Sequence, residues 1–287
     1  MPRTTVGQVL SKACEDEPEK PPEPLHPDFE PSFLKNTITF ASNLRVNAAL
    51  ALQTRYKASQ DPMERRLLFL AIHQQMCMAM EDLGAHLYAY REKKSGRDYM
   101  TALVNYGGSS AYLCELFDGK DQKQIAEEFG FSEEVPPFLK KNGYTNELRT
   151  QAAKNFYAHF ETVANQQKHR LDVCNKLKHG ATVYLPESKD QLGVVLRKLK
   201  KPEPWRLSYN QSELKTFLYV IVTCSHQTKE IAFQYLAAYH PATAQTVLEW
   251  EHASKDIRKS LLLLKQLEHV SRKPAKSKTK RSKTNKK

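Results

Sequence analysis

The sequence predicts a mainly α fold: a helical bundle with long antiparallel helices and one small β-hairpin at about 182–196. Apolar residues recur at threes and fours over long stretches, and clear helix start and stop signals punctuate them. One segment alone offers short β-prone runs around a polar turn.

Taken in order, residues 1–35 read as an acidic, proline-rich, disordered arm. From Cys14 to Pro31 there are seven acids, one lysine and six prolines, a composition that stays extended because it has little apolar surface to bury. The helical body then spans 36–269. Ile38, Ala41, Leu44, Ala48 and Leu52 outline one helix over Ile38–Ala58. Asp61-Pro62 supplies an N-cap and a first-turn proline for a long helix ending before Gly96. Phe69, Ile72, Met76, Ala79, Leu83 and Tyr90 form its stripe, widened by Leu68, Met80 and Leu87, so this helix should be central. His73 and His86 on it read as packed core residues, and Met76, Met78 and Met80 as core filling.

After Tyr99–Val104 and the break "NYGGSS", helices are expected at Ser110–Phe117 and Lys123–Phe129. A long one follows over Asn146–His179, with Leu148, Ala152, Phe156, Phe160, Val163, Leu171 and Cys174 facing the core. Two more, Gln211–Tyr239 and Thr243–His269, are separated at His240-Pro241 as an antiparallel hairpin. Asn210 and Glu213 form a capping-box pattern at the start of the first. Between them and the long helix, Thr182–Leu185 and Gly193–Leu196 predict the β-hairpin, and "KKPEPWRLSYN" a proline-pinned crossover.

Charge is concentrated at one end. The net charge is +12, but residues 270–287 hold nine Lys or Arg and no acid, leaving +3 on the rest. With almost nothing apolar, this segment reads as a basic disordered tail. Arg272, Lys273, Lys276, Lys278, Lys280, Arg281 and Lys283, together with Lys176 and Lys178 in the body, are candidate nucleic-acid contacts. They would act through counterion release on phosphates, with RNA the favoured partner, or the tail serves solubility alone.

No apolar run approaches the roughly 18–20 residues that cross a bilayer, and the N-terminal stretch lacks a signal-peptide core. The expected location is therefore cytoplasmic, with no membrane partner. Five dispersed cysteines without a C-x-x-C pair are expected to be reduced, and neither a metal site nor a cofactor is predicted.

Two stretches carry candidate function. In "DQKQIAEEFGFSEEVPPFLKKNGYTNELR", Ile125, Ala126, Gly130, Phe131 and Ser132, with Phe138, Lys140, Lys141 and Gly143, resemble the helix-turn-helix of arabinose-regulator-type activators. A recognition helix needs an unbroken face, and here Pro136-Pro137 interrupts a shortened stretch. The expected structure is a short amphipathic helix and a proline turn, with DNA reading as the lesser alternative.

The other is "DVCNKLKHGATVY". At helical spacing Asp172, Asn175, Lys176 and His179 share a face, and Gly180 stands where a C-terminal glycine would end the helix. Lys178 and His179 complement the negative end of the helix dipole, which is a structural account needing no function. The run "CNKLKHG" also resembles the helix-end motif of HEPN domains, all-helical units of RNases, toxin–antitoxin systems and anti-phage proteins. Asn175, His179 and Gly180 match, and Cys174 stands where that motif has arginine.

The resemblance implies a helical bundle that acts on RNA without metal. His179 and Asn175 would be its catalytic residues, and a homodimer is among the partners it implies. Cys174 cannot supply the bidentate fork with which arginine clamps phosphate. The expectation is thus a cytosolic HEPN-like protein associated with nucleic acid, RNA favoured, lacking the motif's clamp. The alternatives are a metal-independent ribonuclease of toxin or defence type and a non-catalytic helical scaffold.

Overall fold

The computed structural model describes residues 26–107, 111–131, 134–178, 183–184, 191–198 and 201–255, with backbone alone at 171–173, 175–178 and throughout the strands up to 207. In chain order the helices are α1 (Phe29–Thr39), a 3-10 turn (Ala41–Asn43), α2 (Leu44–Ala58), α3 (Pro62–Lys94), α4 (Tyr99–Val104), α5 (Tyr112–Phe117), α6 (Gln122–Glu128), α7 (Pro137–Lys141) and α8 (Asn146–Lys178). Three strands follow, β1 (Val183–Tyr184), β2 (Gln191–Lys198) and β3 (Lys201–Ser208), then α9 (Gln211–Tyr239) and α10 over 241–255.

The centre is a parallel pair, α3 and α9. Phe69 lies 5.1 Å from Phe217 by ring centroids, and further along both helices Tyr90 lies 6.3 Å from Tyr235. On one side α2 runs antiparallel to α3, joined by Arg55–Glu64 at one end and by Arg45–Asp82, 2.9 Å, at the other. On the other side α8 runs antiparallel to α9: Gln227 Nε2 donates to the Phe156 carbonyl at 2.8 Å, and Arg170 pairs with Glu213. Helix α3 takes the middle because its sequence is apolar nearly all round. Between Leu68 and Tyr90 only Asp82 is exposed, as expected of a helix enclosed by others. Each large side chain so enclosed contributes on the order of 1.5–3 kcal/mol.

Local signals set the helix ends. Asp61 accepts from the N–H groups of Met63 (3.0 Å) and Glu64 (3.3 Å), with Pro62 at the first position. At the far end Gly96 adopts φ 89°, so that its own N–H reaches Lys93 O and the Arg97 N–H reaches Glu92 O. That left-handed residue is cheap only for glycine. Helix α6 opens with a full capping box between Asp121 and Gln124.

The proline-containing motif after α6 is a packed connection. Helix α7 has five residues, about 7.5 Å of rise, with Pro136 as its cap and Pro137 in its first turn. Phe131, Val135 and Leu139 are buried beneath it. Arg149, itself buried, donates to the carbonyls of Phe131 (3.0 Å) and Gly130. This is the short helix and proline turn that the sequence predicts, and α7 is too short to serve as a recognition helix.

Three expectations need correction. The helix predicted over Ile38–Ala58 is broken at exposed Phe40 into α1, the 3-10 turn and α2. The apolar spacing continues through the turn, so periodicity alone could not show the break. Helix α1 also starts at Phe29, inside the stretch assigned to the arm. Leu34 and Ile38 are buried, and Glu30 accepts from the Tyr235 hydroxyl at 2.6 Å and lies 3.0 Å from His240 Nε2.

The fold class with its β-hairpin at 182–196 is corrected as well. The packed core is all-helical among the residues whose burial is described: each buried core residue lies on a helix or an inter-helix turn. The β segment is a three-stranded antiparallel meander in place of the two-stranded hairpin expected from Thr182–Leu185 and Gly193–Leu196. Val183 is opposite Val194, and β2 pairs with β3 from Gln191↔Ser208 to Lys198↔Lys201. The third strand occupies the predicted proline crossover. Pro202 and Pro204 are two apart, so both missing N–H groups fall on one side of β3. As an edge strand it can leave that side open.

His86 should make the fold acid-sensitive. Its Nδ1 lies 2.8 Å from the Tyr99 hydroxyl, and burial pushes its pKa from 6.5 down to about 4. Above pH 6.5 the ring is neutral folded and unfolded. Below that the unfolded chain takes the proton and the folded one does not, so stability is lost as pH falls toward about 4. His86 alone should contribute a slope of up to about 1.4 kcal/mol per pH unit in that window. Urea unfolding across the window should show the fall, and His86→Gln should make it shallower, leaving the part due to the equally buried His73.

Candidate functional site at the end of α8

The predicted site lies at the C-terminal end of α8, so its placement depends on the face that α8 turns to the core. Phe156, Phe160, Val163, Gln167 and Cys174 are buried along that face. Leu148, also predicted there, is instead 53% exposed in the first turn. Cys174 points at α3, where its sulfur is bonded to that of Cys77 with the Cα atoms 5.3 Å apart. This corrects the expectation of reduced cysteines for these two. Cys114 and Cys224 are free, and burial raises the pKa of each, so both are held as thiols.

His73 sits one turn before Cys77 on α3 and completes a tight group. Its ring stacks on Phe217 at 4.5 Å between centroids and is fully buried. Neither ring nitrogen has a hydrogen-bond partner among the described residues. Burial, and secondarily the Arg170 charge, push its pKa down to about 3, so the ring stays neutral. One donor atom each from His73, Cys77 and Cys174 lie within 4.8 Å of one another. These are the residues in the described part of the chain whose arrangement could hold a metal ion.

Arg170 lies one turn before Cys174 and is committed. It is 11% exposed, ion-pairs with Glu213, lies 5.1 Å over the Phe217 ring and donates to Gln166 Oε1 at 3.1 Å. Asn210 caps α9 by accepting the Glu213 N–H at 2.9 Å. The carboxylate that the sequence assigned to a capping box therefore serves an inter-helix ion pair. Phe217, Phe69, Tyr209 and Tyr56 continue as a chain of ring contacts toward the start of α3. There Arg65 lies 4.9 Å over Tyr56.

Of the predicted site residues, Asn175, Lys176 and Lys178 form part of the last turn of α8, and their side chains lie outside the description. His179, Gly180 and the basic segment carrying Arg272, Lys273, Lys276, Lys278, Lys280, Arg281 and Lys283 lie outside the described residues. Sequence reasoning missed His73 and Cys77 as neighbours of this end. Their spacing of four on one helix was a usable signal, but nothing in the sequence ties them to Cys174.

A cavity of about 350 Å³ opens elsewhere, between α5 and α8, lined by Cys114, Glu115 and Lys168 among others. Lys168 is about 15 Å of helical rise from Lys178, so this cavity is separate from the predicted site. Comparison with protein-family models, curated proteins and solved structures finds no match to this chain.

The cross-link gives a direct expectation. Under denaturing, non-reducing conditions only Cys14, Cys114 and Cys224 should react with a thiol reagent, and all five cysteines after reduction. The bond closes a loop of 97 residues, so reduction should lower the unfolding free energy by about 2–4 kcal/mol. Chemical denaturation with and without a phosphine reductant measures this.

Proposed function

We propose that this chain is a HEPN-like helical protein that binds RNA through the end of α8 and the basic segment 270–287, and that it holds RNA without cutting it. The observation that carries the reading is the fate of position 174. Where the motif has a phosphate-clamping arginine, this chain has a cysteine turned into the body and bonded to Cys77. The nearest arginine up the helix, Arg170, is occupied by Glu213 and Phe217. Metal-free cleavage needs both an acid–base group and a fixed cation at the phosphate. His179 could supply the first; Lys176 and Lys178 offer point charges in place of a fork.

Nucleic acid is the partner this charge fits, because nine cations without an acid make a strong site for phosphate neutralisation. No described helix is long and apolar enough to cross a membrane. Pairing of two chains, which the resemblance implies, belongs to the same proposal and is read by sedimentation.

The purified chain should retain RNA at low salt and release it at high salt, visible as excess absorbance at 260 nm that disappears. Removing Val270–Lys287 should weaken affinity and flatten its salt dependence, by about 0.7 in the log–log slope for each lost phosphate contact on single strands. Thermal stability should hardly change. Lys176→Ala with Lys178→Ala should lower affinity further. Absence of RNA binding at low salt would overturn the proposal. Metal-independent RNA cleavage lost on His179→Ala would replace it with the ribonuclease reading.

A further inference from the structure

We infer that His73, Cys77 and Cys174, once the two cysteines are reduced, form a buried site for a single thiophilic d10 metal ion, Zn2+ or Cu+. Two sulfurs and an imidazole are the donor set that such ions select. His73 and Cys77 stand four apart on α3, one turn apart on the same face, and α8 brings Cys174 against them. All three are buried, and their donor atoms lie within 4.8 Å of one another.

The second observation is His73 itself. A fully buried imidazole normally finds a hydrogen-bond partner; here both nitrogens have none among the described residues, and the ring is fixed by stacking on Phe217. An ion among the three donors would satisfy one of these nitrogens. Around a metal with bonds of about 2.0–2.3 Å, donors sit somewhat closer to the imidazole and farther apart between sulfurs than they do here. The Cα separation of 5.3 Å leaves the cysteines free to make that change by side-chain rotation.

The chemistry balances in two steps. A phosphine gives two electrons to the S–S bond and takes the oxygen of one water as its oxide, the water's two protons completing two thiols; a dithiol supplies both electrons and both protons and leaves as a cyclic disulfide. The ion then replaces the two thiol protons, which return to solvent, and takes the neutral imidazole as its third ligand. Two thiolates cancel the charge of Zn2+; with Cu+ they leave one negative charge in a region that already feels Arg170. Three protein donors complete a trigonal shell for Cu+ and leave Zn2+ one short of its usual four.

The test uses the full chain, reduced with a phosphine, freed of excess reagent and kept anaerobic. Zn2+ is titrated in competition with a chromophoric chelator, and Cu+ in competition with bicinchoninate. The reduced protein should bind one ion per chain and the oxidised protein none. Cys77→Ser, Cys174→Ser and His73→Gln should each weaken binding by at least about tenfold, while Cys114→Ser should leave it unchanged. Peptide-mapped alkylation of the wild-type chain is independent of whether the variants fold: the bound ion should protect Cys77 and Cys174. Binding of neither ion by the reduced chain beyond the oxidised one would overturn the inference. So would a bound ion that leaves both cysteines as reactive as in the metal-free protein.

Discussion

The enclosure of α3 is the constraint from which the rest of the structure follows. A helix with apolar residues around nearly its whole circumference must be covered on several sides at once. Helix α9 covers it along its length, α2 and α8 take the flanks, and the short helices α4 and α5 close the far end. Everything placed at the end of α8 is placed by this requirement. Cys174 meets Cys77 and His73 because α8 must lie against α3, and the core face of α8 runs straight into that contact.

The same packing assigns roles that residue types alone would not suggest. Glu213 sits where a capping partner belongs and is used to hold Arg170. Arg170, a ready phosphate ligand by chemistry, spends its guanidinium on a carboxylate and an aromatic face. Arg149 ties down the turn between α6 and α7 by donating to the carbonyls of Gly130 and Phe131. Positive charge within the bundle is therefore structural at these positions.

How much was legible follows from the range of each interaction. Helices α3 and α9 could be read nearly to the residue, since Asp61-Pro62, Gly96, Asn210 and His240-Pro241 are local signals with local causes. The break at Phe40 was not legible, because the three-four rhythm survives the turn. Strand β3 was hidden by its own prolines, which read as a crossover and prove compatible with an edge. At the candidate site, the stretch ending α8 announced itself through Asn175, Lys176, Lys178 and His179. Its neighbours did not: Cys77 and Cys174 are 97 residues apart, and a contact that long in sequence leaves no trace in periodicity or spacing.

The parallel arrangement of α3 and α9 has a consequence for how the chain is made. Two parallel helices need a return path, and α8 provides it; α3 and α8 are both 33 residues long, about 50 Å each. During synthesis α3 emerges well before α9, the helix that covers most of it. Until α8 is made its apolar surface has only α1, α2 and the short helices to shelter it, and its main cover, α9, follows more than a hundred residues after its own end. Contacts of such long range also slow folding relative to bundles joined by short loops. The nascent chain thus passes through a stage with sticky, half-covered helices, the stage at which chaperone capture or aggregation competes with assembly.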